Sequence, residues 1–289
     1  MICIISSDIQ GNNVITILHI HMAMRIEMDV SLDPTLGCGQ AHRWFKKGDT
    51  WEGVLGKEIV TLKQTEYGFE CSGTNKKDMI LDYFRYDDDL DEIYKDISAA
   101  DPYVAKLCRN CPGLRLLRQD PWECMATYLL ATNANVKRIG QMVDNVCRTF
   151  GKDLEGRYSF PTPEEIISCE DRICECRLGF RDKRLIELAH RVADKDIVPD
   201  ELKRMSYDEC IESLLTINGV GPKVADCIAL FAYDHMEAFP IDARIGKVLK
   251  EKYGQEGSYK KLSEFARNKF GRYPGYAQEF LYHSDFIES

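Results

Sequence analysis

The chain has 289 residues, of which 44% are hydrophobic and 29% charged, the composition of a folded protein of one or two domains rather than a disordered chain. Its formal net charge of −9 excludes a uniformly basic nucleic-acid binder. No run approaches the roughly 20 apolar residues of a membrane-spanning helix, so no membrane partner is expected.

The opening MICIISSDIQGNNVITILHIHMAM lacks a basic lead, and polar residues interrupt its apolar run. It therefore predicts no secretory signal and an intracellular protein, in the cytoplasm or nucleoid, or the nucleus of a eukaryote. Met24 and Met28 are alternative starts. From about Val14 to Ser72 the pattern predicts short antiparallel strands: the β-branched run from Val14 to Ile20, then Trp51 to Val54, Ile59 to Leu62 and Tyr67 to Cys71. Gly48-Asp49, Gly56-Lys57 and Glu66 separate them. The character changes after Lys77, and Asp91 to Ala99 starts a helical stretch, with Pro102 near the start of the next helix.

From Asp120 the chain reads as helix upon helix. Asp120-Pro121 pairs an N-cap acid with a proline at the first helical position. Val136, Ile139, Met142, Val143, Val146 and Cys147 recur at helical spacing before Gly151. Helices follow over 163–169, 183–193, 207–215, 223–233, 243–253, 263–270 and 275–283. The fold class is therefore α+β, an antiparallel β-rich N-terminal unit over residues 1–100 and an all-α unit over 101–289. The twelve cysteines are read as reduced, since nothing directs export. Cys108 and Cys111 form a CxxC. The spacing of Cys174 and Cys176, beside Cys169, does not suit a zinc knuckle, so no metal site is expected.

The most informative segment is LLTINGVGPKVADCIALFAYDHMEAFPIDARI, from Leu214 to Ile245. One helix ends near Ile217, Asn218-Gly219-Val220-Gly221 turns, and a second helix opens at Pro222 or Lys223. Gly219 and Gly221 permit positive φ and close approach. With the helix N-terminus, the turn's N–H groups make a site for a DNA phosphate. Such a helix-hairpin-helix, here about 207–233, grips backbone without reading sequence. The helix dipole and burial together are expected to lower the Lys223 pKa from about 10.4 toward 7–8, as an amine nucleophile requires. Asp242, in Phe239-Pro240-Ile241-Asp242, has the chemistry of an N-cap carboxylate held ionised near a sugar that gains positive charge. A lysine amine at such a carbon forms a Schiff base.

Hairpin, lysine and proline-spaced aspartate resemble the helix-hairpin-helix DNA glycosylase superfamily. Within it the chain is similar to the eukaryotic-type 8-oxoguanine DNA glycosylase/AP lyase, from about Leu36 to Phe286. Five blocks carry the likeness: Gly39-Gln40 with Arg43-Trp44, LRLLRQDPWEC, TNANVKR, GVGPKVADC and GYAQ. The resemblance implies a TATA-binding-protein-like N-terminal unit and excision of an oxidised purine from duplex DNA by a monomer, followed by β-elimination. Lys223 would be the nucleophile and Asp242 the catalytic carboxylate. The Gly39 carbonyl would accept from the N7–H that 8-oxoguanine has and guanine lacks. Cys227 and Tyr282 would face the two sides of the flipped base, and Gln278 its Watson–Crick edge. Asn133 would fill the gap in the duplex, Arg138 and Arg181 would contact the orphaned cytosine, and Phe180 would stand beside Arg181 as a wedge. Gly219, Gly221 and Arg244 would contact phosphates.

Three departures stand out. Arg244 replaces a histidine of the animal members, Phe180 a tyrosine, and Ala134 interrupts a run of asparagines. No cofactor is required, and the last cysteine, Cys227, precedes Asp242, so no iron–sulfur cluster of the endonuclease III form is expected. A structural cation on hairpin carbonyls is left open. The alternatives are a non-catalytic lesion-sensing protein on the same scaffold, or a glycosylase for another damaged base.

Overall fold

The structure, a computed structural model, describes residues 2–9, 12–19 and 23–288, with side chains from residue 23 onward. Strands β1 (Ile2–Ile9) and β2 (Asn12–His19) pair antiparallel as a two-stranded sheet. A five-stranded antiparallel sheet follows, built from β3 (Met24–Glu27), β4 (Trp44–Lys47), β5 (Thr50–Leu55), β6 (Glu58–Thr65) and β7 (Gly68–Ser72), in the order β3-β7-β6-β5-β4. Its hairpins turn where expected, at Gly48-Asp49 and Gly56-Lys57, with both glycines at positive φ. Residues alternate across β6 and β7, so Val60, Leu62, Phe69 and Cys71 are buried. They pack with Leu32 and Leu36 of the helix Leu32–Gly37, and with Ile80 and Phe84 around the helix Lys77–Tyr83.

The helices that follow match the expected series within a few residues. Two of their caps fall on residues read as caps from the sequence, Asp120 and Asp242; these and Asn135 each accept a backbone N–H of the helix they open. The helix Pro222–Ala232 is buried at every position from Val224 to Ala232, which makes it the axis of the helical core. The expected division at residue 100 is shifted by packing. Leu90, Ile93 and Ile97 of the helix Leu90–Ala100 belong to the helical core, whereas Leu117 returns to the sheet core.

Sheet and helices are joined by buried guanidinium groups. Fully buried Arg85 donates to the Leu230 carbonyl at 2.7 Å and pairs with Asp234 at 2.6 Å. Arg118 bridges Asp82, Asp87 and Asp234. Among the described residues no helix is long and apolar enough to cross a membrane, and the described cysteines are free.

Candidate active site

The hairpin places the nucleophile. The helix Tyr207–Leu215 starts with a capping box between Ser206 and Glu209. Of the two turn glycines only Gly219 uses positive φ, at +92°. A Cβ there would lie 2.6 Å from the Arg184 side chain, so the residue is needed for conformation and for close packing. Gly221 corrects the expectation: with φ −100° it is the N-cap of the helix Pro222–Ala232, and nothing lies within 4 Å of its Cβ direction. It leaves the helix N-terminus bare for an anion.

Lys223, Cys227 and Asp242 meet Gly39, Gln278 and Tyr282 around one cavity of about 60 Å³, whose walls also include Cys38, Gln40, Tyr128, Phe231, Pro240 and Glu279. All six residues assigned to chemistry and base reading thus converge, although they come from four separate stretches of chain. Ligand-filled pockets run to roughly 300–1,000 Å³, so a purine enters only if the wall moves, and half-buried Tyr282 is its least enclosed aromatic.

Each group is held by its element. Lys223 Nζ lies 5.5 Å from the centroid of the Tyr128 ring. Asp242 accepts from the Ile245 N–H at 2.9 Å, which fixes its direction. Gly39 sits at φ +88°, and its neighbour Gln40 pins the loop. The Gln40 amide donates to the Thr35 and Arg115 carbonyls, both at 2.9 Å, and accepts from the Leu117 N–H at 2.8 Å. The Gln40 carbonyl in turn accepts from Gln119 and from the Tyr128 hydroxyl. Gln278 is buried, and its Oε1 lacks a hydrogen-bond partner.

The electrostatics overturn one expectation. Lys223 is raised rather than lowered: its coupling to the Cys227 sulfur, whose anion would pair with the ammonium, counts most, burial opposes it, and the Asp242 carboxylate adds to the rise. The helix dipole favours the neutral amine, but these neighbours in the same small cavity outweigh it. Burial pushes the Cys227 thiol up to about 11, with Lys223 opposing. Burial and then the charge of Lys223 hold His42 down to about 4, so His42 stays neutral.

The residues expected to contact the duplex lie outside this cavity. Asn133 is exposed, in the left-handed conformation (φ +53°), on the turn before the helix Val136–Phe150. Phe180 is 55% exposed, with the guanidinium carbons of Arg181 and Arg184 at 4.2 and 4.9 Å from its ring centroid. With Arg138 these arginines form a cationic patch on the acidic chain, close enough that Arg138 and Arg184 add to burial in lowering Arg181. Arg181 differs from its expected pose. It is buried, and it donates to the Thr132 and Leu178 carbonyls, so it braces the Asn133 turn. Arg138 likewise donates to the Arg177 carbonyl. Arg244 stacks 5.1 Å from the Tyr282 ring centroid and pairs with Asp285 at 2.8 Å. The sequence reading missed Arg184, Tyr128 and His42, whose roles arise from contacts between distant segments.

A five-stranded sheet, a helical body, a glycine hairpin and a lysine and an aspartate on one small cavity define a helix-hairpin-helix DNA glycosylase. The family model for the 8-oxoguanine DNA glycosylase N-terminal domain matches residues 24–125. The N-glycosylase/DNA lyase of Arabidopsis thaliana is 31% identical, over 88% of this chain and 77% of that protein. The 8-oxoguanine glycosylase/lyase of Clostridium acetobutylicum, solved with double-stranded DNA containing cytosine opposite 8-oxoguanine, superposes with a TM-score of 0.85 at 29% identity, covering 92% of this chain and 98% of that one. A 3-methyladenine DNA glycosylase of Archaeoglobus fulgidus, at 18% identity and a TM-score of 0.73, shares the fold. The chain belongs to the 8-oxoguanine DNA glycosylase family of N-glycosylase/DNA lyases.

Proposed function

We infer that this chain excises 8-oxoguanine from duplex DNA and then cleaves the strand as a DNA lyase in base excision repair, with Lys223 as nucleophile and Asp242 as its carboxylate. The observation that supports the residue assignment is the convergence of both on the cavity that Gly39, Cys227, Gln278 and Tyr282 line. The hairpin turn and the bare helix end at Gly221 hold the backbone, and the lesion nucleotide turns out of the stack into the cavity. The Gly39 carbonyl tests for N7–H, Gln278 reads the opposite edge, and Cys227 and Tyr282 cover the faces.

The Lys223 amine then bonds to C1′ as the bond from C1′ to the base breaks, while the Asp242 carboxylate stabilises the developing oxocarbenium charge. Because Lys223 is held as the ammonium in the free protein, attack begins only once that proton is lost in the DNA complex. The Schiff base acidifies the C2′ proton, and its removal expels the 3′ phosphate. No step calls on a cofactor. A cation on hairpin carbonyls would compete with Arg191, which already donates to the Thr216 carbonyl at 2.9 Å. We extend the reading to a monomer acting in the intracellular compartment that holds the DNA.

Borohydride trapping on a duplex carrying 8-oxoguanine opposite cytosine, with wild type against Lys223→Gln, tests the assignment. A covalent adduct in wild type alone is expected. Base release without trapping would mean that water attacks. DNA binding without release would support a lesion sensor.

A further inference from the structure

At the wall of the base cavity, with Cys38 and Glu279 in its lining, lies a cluster that excision does not use. Cys38, Glu279 and His283 bring a thiol, a carboxylate and an imidazole within 4.8 Å of one another, all three buried. Cys38 comes from the loop leading into Gly39. Glu279 and His283 are i,i+4 at the end of the helix Pro274–Tyr282, and so share one face. Glu279 Oε1 and His283 Nε2 stand 3.3 Å apart as a buried pair, without hydrogen-bond geometry to each other or to any other group. Buried polar atoms without partners are unfavourable unless something else satisfies them.

The three donor types and their spacing suggest what would. Around a tetrahedral zinc ion, with bonds of about 2.0–2.3 Å, donor atoms lie about 3.3–3.8 Å apart. The carboxylate–imidazole separation already has that value, and the thiol needs only a small approach. Thiolate and imidazole together select against magnesium and calcium, which prefer oxygen ligands.

We propose that Cys38, Glu279 and His283 form a binding site for a zinc-class divalent cation in the wall of the base cavity, with a fourth position left for water. Burial and the Glu279 carboxylate otherwise keep the Cys38 thiol protonated, so binding forms the metal–sulfur bond and releases the thiol proton to solvent. The thiol now donates to the Thr35 carbonyl at 3.1 Å, and that bond is lost when the sulfur turns to the metal. Cys38 and Glu279 are the chain neighbours of Gly39 and Gln278, and all four line the cavity. Occupation therefore shifts both base-reading residues and slows excision while Lys223 and Asp242 remain in place.

The test uses the full chain, stripped with a chelator and desalted, then titrated with Zn²⁺ alone and with Co²⁺ alone. One tightly held zinc per chain and a near-ultraviolet thiolate-to-cobalt band are expected. Both should be lost in Cys38→Ser and retained in Cys111→Ser and Cys174→Ser, and zinc affinity should fall at least tenfold in Glu279→Gln. If Cys38→Ser fails to fold, as read by circular dichroism, His283→Gln serves in its place, with the same tenfold loss. Zinc should also slow release of 8-oxoguanine by wild type more than by Glu279→Gln, each relative to its own metal-free rate. A folded wild type that takes up no zinc would overturn the site, as would stoichiometry unchanged in both Cys38→Ser and Glu279→Gln. Failure of the excision reading would leave the zinc stoichiometry intact, so the two are distinguishable.

Discussion

The base cavity and the duplex-facing wedge lie side by side and are built by opposite means. In the cavity, Lys223 and Cys227 ride on a helix buried from Val224 to Ala232, and the Gly39 loop is pinned by the three buried hydrogen bonds of the Gln40 amide. In the wedge, Phe180 is mostly exposed, Asn133 occupies a left-handed turn, and the arginines are tethered to loop carbonyls. Covalent chemistry tolerates little misplacement of its reacting atoms, so its groups belong on rigid, packed elements. A wedge must enter another molecule, so it belongs on exposed loops. Substitutions in the two regions should therefore differ in kind: chemistry and stability change in the cavity, duplex engagement at the wedge.

The largest effect is expected from Lys223→Gln, with single-turnover release of 8-oxoguanine falling on the order of 10⁴-fold or more while duplex affinity holds. Equal losses of affinity and rate would instead make Lys223 a phosphate contact and erase the contrast. The pH profile comes next. A raised amine pKa means that the neutral, attacking form is the minority below it, so the active fraction grows about tenfold per pH unit. kcat/KM, which reports the free enzyme, should climb with a slope near 1 from about pH 6 to about pH 9 without levelling. A plateau near neutrality would show that the amine is depressed after all. Gln40→Ala should follow, because it leaves the Leu117 N–H and two carbonyls buried without their partner. A loss of about 2–4 kcal/mol in denaturant unfolding is expected, along with narrowed discrimination between 8-oxoguanine and guanine as the Gly39 carbonyl loosens.

What was legible in the sequence follows the same division between local and distant contacts. The hairpin, its lysine and the cap at Asp242 could be read because apolar spacing, glycines and capping residues act over a few neighbouring positions. The short strands β3 and β4 and the helix Leu32–Gly37 escaped that reading, since four to six residues hold too little periodicity. Gln40 was visible only as part of a motif. Its function is to tie segments some 75 residues apart, which no local pattern encodes. The direction of the Lys223 shift was misjudged because dipole and burial were weighed alone: Cys227, one turn along the same helix, counts most against them, and Asp242 adds to it from a later segment. Arg181 could be placed at the wedge, but not its inward turn, which depends on the Thr132 carbonyl supplied by another loop.

The smallest effect is the sharpest test of the division. Phe180 is flanked by two guanidinium groups and touches nothing in the base cavity. Each exposed cation–π contact contributes only about 0.5–1 kcal/mol, and an exposed ring adds little to the core, so Phe180→Ala should leave unfolding nearly unchanged. With the ring gone, Arg181 keeps its inward bonds to Thr132 and Leu178, so what is lost is the exposed ring itself. Affinity for duplex carrying 8-oxoguanine should fall by a few-fold, while the single-turnover rate at saturating enzyme stays within about twofold of wild type. Phe180→Tyr should restore affinity, because the ring face returns and only a hydroxyl is added. If Phe180→Ala instead slows the saturated rate as strongly as it weakens binding, the wedge takes part in delivering the base into the cavity. The two regions would then form one machine rather than a buried centre beside an exposed reader.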